Sequence, residues 1–77
     1  MDKLDLLKRV GENIKYQREL KNLSQVELVG LMEGNIDTTN ISRIESGRTN
    51  PTIFTLYRIS KALNISVSKL LLVPEEI

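Results

Sequence analysis

Cysteine and histidine are both absent from this 77-residue sequence. Their absence excludes disulfide bonds, metal sites built from thiolate or imidazole ligands, and catalysis by either side chain. A chain this short also offers no common pocket for a pair of catalytic carboxylates, or for a nucleophile with its base. We therefore expect a protein that is not an enzyme and that carries no metal or other cofactor.

Long hydrophobic runs are missing as well. Leu70 to Val73 is one of the longest apolar clusters, and it is far shorter than the roughly 20 residues that cross a bilayer. The first residues do not resemble a secretory signal. Eleven lysines and arginines almost balance ten acidic residues, so any basic surface must be local. We expect a cytoplasmic protein that does not bind membranes, organised as a single domain over residues 1–77.

Polar residues that favour helix starts divide the chain into short segments. Ser24 followed by Glu27 forms a capping box, the clearest start signal in the sequence. Asp37, Thr52 and Ser66 can each cap a later helix through a side-chain oxygen. With no alternating strand pattern in competition, these signals predict an all-α fold with five helices, over residues 4–21, 24–33, 37–46, 52–63 and 66–72.

Three residues mark predicted helix ends: Gly47 as a left-handed stop, Asn64, and Pro74. Apolar residues recur within the segments at the three-and-four spacing of one helix face. The side chains that this spacing turns inward are Leu7, Val10 and Ile14 in the first helix, Leu28, Leu31 and Met32 in the second, Ile41 and Ile44 in the third, and Ile53, Leu56, Ile59 and Leu63 in the fourth.

The third helix has two faces of different chemistry. Ile41 and Ile44 share one face, and the opposite face carries small hydroxyl groups and one arginine. Such a face suits the major groove of DNA, where arginine can bond guanine and threonine methyls can meet thymine methyls. A solvated surface is the alternative for any such polar face. Binding is favoured because further donors surround this face, so the candidate residues are Gln25, Thr39, Ser42, Arg43, Ser46, Arg48, Thr49 and Asn50, with Arg43 as the first choice for reading a base.

Glu45 lies beside the apolar face of the third helix and should be partly buried. An unpaired carboxylate is costly there, so it needs a cationic partner. Arg18, on the inner face of the first helix, is the expected partner. We assign this pair a structural role, joining the first helix to the third.

Two runs of the sequence resemble the Xre family, the helix-turn-helix proteins of the phage-repressor and Cro type. Leu23-Ser24-Gln25 through Glu27-Leu28 is similar to the family's second-helix opening, and Ile41 through Arg48 with Asn50-Pro51-Thr52 is similar to its third helix and exit loop. The resemblance implies a compact lambda-repressor-like domain and a homodimeric transcription regulator, with the third helix in the major groove of a palindromic operator and half-sites about 34 to 36 Å apart. It also implies roles for particular residues: DNA contact by Gln25, Thr38, Thr39, Asn40, Ser42 and Arg43, and a buried pair of Arg18 with Glu45.

The sequence departs from the family pattern between Ser24 and Ile41, where it is two residues longer. The excess falls around Gly30 to Asn35. We expect either the second helix or the following turn to absorb it.

Aromatic residues are few, and two of the three lie in the fourth helix. Phe54, Tyr57 and Leu71 are the expected dimer contacts, together with Leu70, Leu72 and Val73. The alternative is that Tyr57 and the leucines complete a sparse core.

We expect no small-molecule ligand, because the five helices leave no space for a ligand-sensing domain. A helical protein-interaction module, such as a toxin-neutralising antitoxin, remains the alternative function.

Overall fold

Every helix in the computed structural model, which describes residues 1–73, begins at a polar side chain that accepts a backbone N–H from its first turn. The capping roles predicted for Ser24, Asp37, Thr52 and Ser66 are confirmed, and Ser24 with Glu27 forms the complete capping box. Asp2 caps the first helix in the same way. Within residues 1–73 the structure contains no strand, and its five helices are α1 (Lys3–Leu20), α2 (Gln25–Leu31), α3 (Thr38–Glu45), α4 (Ile53–Leu63) and α5 (Val67–Leu70).

Three of the helices end at a residue in the left-handed backbone conformation. Asn22 follows α1 with a φ of 57°, Gly47 follows α3 with a φ of 77°, and Asn64 follows α4 with a φ of 57°. In each case this residue and the next donate backbone N–H groups to carbonyls of the last turn. The ends predicted at Gly47 and Asn64 are therefore confirmed, whereas Pro74 lies outside the described residues.

The second helix is shorter than predicted, and the last one is shorter too. The backbone of Met32 is extended, so α2 ends at Leu31 and residues 32–37 form its connection to α3. Gly34 in this connection has a φ of +85°. The extra length noted between Ser24 and Ile41 is thus accommodated after α2 and not within it.

The core is assembled from one face of each helix. Leu31 and Ile53, which were expected to point inward, are instead 56% and 80% exposed. At 100° per residue, Leu31 lies about 60° from Leu28 and Ile53 about 70° from the middle of the buried positions of α4, so each is on the flank of its helix's buried face. Each also occupies a terminal position of its helix, where less of the protein covers it. The buried apolar side chains are Val10, Ile14, Leu28, Met32, Ile41, Ile44, Leu56, Ile59, Leu63 and Leu70.

Helices α1 and α3 approach each other very closely at Gly11. A Cβ placed on Gly11 would lie 2.4 Å from the carbonyl oxygen of Ile44 and 2.6 Å from that of Glu45. Gly47 makes a similar approach, because its Cβ would lie 2.8 Å from the Cα of Lys8. These two glycines allow the backbone at the end of α3 to rest directly against α1.

The short helix α5 is tied to α1 by one side chain. The amide Nδ2 of Asn13 donates to the carbonyl oxygens of Lys69 and Leu70, each at 2.9 Å. These carbonyls belong to the last turn of α5 and lack partners inside the helix. Among residues 1–73, no helix combines the length and the apolar character that crossing a membrane demands.

Replacing Gly11 with alanine tests the close approach of α1 to α3. We expect Gly11→Ala to lower the free energy of unfolding by about 3 kcal/mol, because the new methyl group meets backbone that cannot move aside. Urea denaturation followed by circular dichroism measures the change. Gly30→Ala in α2 is the matched control, since no atom beyond its chain neighbours and the backbone of its own helix lies within 4 Å of that Cβ position. The control should stabilise the protein by roughly 0.5 to 1 kcal/mol, and equal effects of the two substitutions would contradict the packing described here.

Candidate nucleic-acid interface

Helix α3 is held by one face and presents the other to solvent. Ile41 is fully buried and Ile44 is 5% exposed, so the helix is anchored by its inner side. Asp37 caps its start by accepting the N–H of Asn40 at 2.8 Å. On the outer side, Thr38 and Ser42 are half-buried, and Thr39, Asn40, Arg43 and Ser46 are exposed.

The loop that follows α3 folds back onto the end of the helix. The carbonyl oxygen of Arg43 accepts the backbone N–H of Arg48 at 2.9 Å and the hydroxyl of Ser46 at 3.2 Å. The side chains of Arg43, Arg48 and Asn50 are exposed. Two guanidinium groups therefore flank the end of α3, and the hydrogen bonds fix the backbone that carries them.

Arg18 and Glu45 form a buried ion pair with two parallel hydrogen bonds. Nε of Arg18 donates to Oε2 of Glu45 at 2.7 Å, and Nη2 donates to Oε1 at 3.0 Å. The hydrogen bond to Glu45 raises the pKa of Arg18 above its ordinary value, so the guanidinium stays charged. Nη1 of the same group donates to the carbonyl oxygen of Leu23, which lies between α1 and α2. The contact predicted from the sequence is therefore present.

Gln25 meets the same carboxylate from the start of α2. Its Nε2 donates to Oε1 of Glu45 at 3.0 Å. One N–H of the Gln25 amide is thus used inside the protein, while a second N–H and the amide oxygen remain for another partner. The start of α2 and the end of α3 are consequently adjacent, despite the longer connection between them.

The carboxylate of Glu27 is also engaged locally. Ser24 donates its backbone N–H to Oε1 of Glu27 at 2.9 Å, and this bond lowers the pKa of Glu27. The backbone N–H of Ser24 therefore already has a hydrogen-bond partner within the protein.

The Helix-turn-helix family model matches residues 14–70, which include the buried pair, the capping box and all of α3. The chain belongs to the helix-turn-helix family of transcriptional regulators. Its helix-turn-helix unit consists of α2, the connection at residues 32–37, and α3.

Named relatives of this helix-turn-helix protein include regulators of similar size. The control protein C.SmaI of Serratia marcescens is 37% identical over 68 residues, which cover 88% of this chain and 79% of that protein. The crystal structure of the restriction-modification controller protein C.AhdI from Aeromonas hydrophila matches with a TM-score of 0.77 and 29% identity, over 86% of this chain and 96% of the other.

The same fold also occurs as part of a longer protein. A transcriptional regulator from Vibrio cholerae matches 90% of this helix-turn-helix chain with a TM-score of 0.81 and 25% identity. The chain spans only 38% of the length of that regulator.

The predicted dimer residues of the helix-turn-helix protein are exposed. Phe54 is 67% exposed, Tyr57 and Leu71 are each 46% exposed, and the rings of Phe54 and Tyr57 stack with centroids 6.4 Å apart. The inclusion of Leu70 in this surface is wrong, because Leu70 is fully buried in the core, and α5 packs against α1 and α4. Leu72 is 71% exposed, and the dimer itself remains a prediction.

Arg58 in α4 was not identified as a candidate residue from the sequence. Its guanidinium donates from Nε and Nη2 to the carbonyl oxygen of Glu33, with a distance of 2.7 Å for Nε. The same group lies over the ring of Phe54, 6.0 Å from its centroid. Arg58 follows Phe54 by four residues, so their contact was visible in the spacing, but the bond to Glu33 was not.

The buried pair can be tested by removing its acidic member. We expect Glu45→Ala to lower the free energy of unfolding by about 3 to 5 kcal/mol, because it leaves the guanidinium of Arg18 buried without its counter-charge. Urea denaturation at neutral pH gives the value. Asp5→Ala is the control, since Asp5 pairs with Arg9 at 3.4 Å on the surface, where a pair contributes less than about 1 kcal/mol. A structural role for Glu45 is refuted if both substitutions cost the same.

Proposed function

We propose that this protein is a sequence-specific DNA-binding transcriptional regulator that acts as a homodimer on a palindromic operator. In this proposal α3 lies in the major groove. The observation that carries it is the two-sided character of α3, whose buried isoleucines fix a helix with an exposed face of threonine, serine and arginine side chains.

The exposed face of α3 has the size and chemistry that base recognition requires. A helix is about 10 to 12 Å across with its side chains, and the major groove of B-DNA is about 12 Å wide. The small side chains of Thr39 and Ser42 let the helix approach base edges closely. Arg43 can then bond guanine at O6 and N7, and Asn40 can reach an adenine or a phosphate.

Residues around α3 supply contacts to the DNA backbone. Arg48 and Asn50 are exposed in the loop after α3, and Gln25 lies at the start of α2 beside the end of α3. Contacts from such positions to phosphates fix the register of a protein on a duplex without reading sequence. We assign Gln25, Ser46, Arg48 and Asn50 to this role, and Thr38, Thr39, Ser42 and Arg43 to base readout.

The relatives support a regulatory role. C.SmaI is named a control protein, and C.AhdI is a controller of a restriction-modification system. We propose a regulatory role of this kind for the present chain, exerted by binding DNA.

Replacing Arg43 with alanine tests base readout by α3. Selection from a pool of random duplexes should give a palindromic consensus with the original protein, and Arg43→Ala should lose definition at one position of each half-site. Against the consensus duplex, binding should weaken by about 1 to 3 kcal/mol, measured by fluorescence anisotropy. Lys69→Ala is the control, because it removes an equal charge from the exposed surface of α5.

A folded protein that enriches no sequence, even at low salt, would refute the DNA-binding proposal. The protein-interaction module would then be the better explanation. Wild-type binding should also weaken steeply as the salt concentration rises, because phosphate contacts release counterions.

The homodimer is proposed to form through Phe54, Tyr57 and Leu71. We expect Phe54→Ala to raise the dimer dissociation constant by roughly tenfold, since exposed aromatic rings are common anchors of interfaces. Sedimentation equilibrium over a range of concentrations measures it. Tyr16→Ala, which removes another exposed aromatic ring from α1, is the control. An unchanged association constant for Phe54→Ala would place the interface elsewhere.

A further inference from the structure

The connection between α2 and α3 is irregular, yet its position decides where α3 begins. It runs from residue 32 to residue 37, and Thr38 is the first residue of α3. Met32 is buried and Ile36 is half-buried, so apolar contacts hold the two ends of the connection. The turn between them, at Glu33 and Gly34, is exposed and needs another form of attachment.

Arg58 provides that attachment through charged hydrogen bonds. Nε and Nη2 of its guanidinium both donate to the carbonyl oxygen of Glu33. This carbonyl lies just beyond the end of α2, where backbone acceptors have no helical partner. A bond from a charged donor is shorter and stronger than one between neutral groups.

Gly34 packs against the same guanidinium. A Cβ on Gly34 would lie 3.0 Å from Nη2 of Arg58, and the φ of +85° already disfavours any other residue. The turn and the guanidinium therefore fit closely. The ring of Phe54, also in α4, lies against the same guanidinium. The guanidinium is therefore held between this ring and the connection.

We propose that Arg58 is a positioning residue for DNA recognition, which fixes the turn at Glu33 and Gly34 against α4 and thereby places Thr38 and Thr39. The inference rests on the proposed function, because it concerns the side chains assigned to base readout. The far end of α3 is fixed separately, by the ion pair of Arg18 with Glu45. Loss of Arg58 therefore disturbs the first turn of α3 more than the turn that carries Arg43.

The experiment compares base discrimination at two positions of the operator. Selections with Thr39→Ala and with Arg43→Ala first assign the base pair that each residue reads. For Arg58→Ala, the dissociation constant of the mismatched duplex is then divided by that of the matched duplex at each of these base pairs. We expect the ratio at the Thr39 position to fall by about tenfold, and the ratio at the Arg43 position to change little. Because each ratio is taken within one protein, a smaller folded fraction cancels.

Matched variants separate positioning from other roles. Lys61→Ala removes a cation from the same face of α4, where Lys61 lies over Tyr57, and it should leave both ratios unchanged. Gly34→Ala should reproduce the Arg58→Ala pattern from the other side of the contact. Arg58→Lys, which keeps the charge but not the paired N–H groups, should recover part of the lost ratio.

The possible outcomes separate failure of the Arg58 role from failure of the proposed DNA-binding function. If the original protein shows no sequence preference, the proposed function fails and this inference fails with it. If the original protein discriminates and Arg58→Ala retains both ratios, the inference alone is wrong. The slope of binding affinity against salt concentration counts phosphate contacts. If this slope is smaller for Arg58→Ala by about one contact, Arg58 binds DNA directly and its positioning role is overturned.

Discussion

The carboxylate of Glu45 is the group on which the arrangement of the helix-turn-helix depends. It lies inside the protein, it pairs with the guanidinium of Arg18 from α1, and it accepts the amide of Gln25 from α2. The hydrophobic effect has no direction of its own, whereas these hydrogen bonds need particular distances and angles. One buried carboxylate therefore links α1, α2 and α3 through directional hydrogen bonds.

The backbone contact at Gly11 complements that charge. Because no side chain separates α1 from the end of α3 there, the two helices approach closely enough for Arg18 to reach Glu45 with two bonds. The inner side of α3 thus carries the interactions that hold it, and its outer side contributes little to the core. Exposed residues such as Arg43 can consequently vary with little effect on the stability of the fold.

Interactions between residues close in the sequence could be predicted from it, whereas interactions between distant residues mostly could not. Caps such as Ser24 and Asp37 act within one helical turn, so residue type and spacing were sufficient to predict them. The Arg18 contact followed from the cost of burying Glu45. The burial of Ile53 and the exposure of Leu70 were predicted wrongly, because positions at the edge of a helix face depend on which neighbours cover them. The bond of Arg58 to the carbonyl of Glu33 spans 25 residues and uses a backbone acceptor, which leaves no trace in residue types.

The two sides of the helix-turn-helix unit are held by different interactions, and this explains how a longer connection between α2 and α3 is tolerated. The start of α2 and the end of α3 are joined through Glu45, so their separation does not depend on the length of chain between them. The added residues lie at the opposite side, where Gly34 turns the chain and a charged group on α4 receives the exposed carbonyl. Loop length itself adds little entropic cost, so what a longer connection requires is a partner for its exposed backbone. In this protein α4 supplies that partner, and α3 retains its place beside α2.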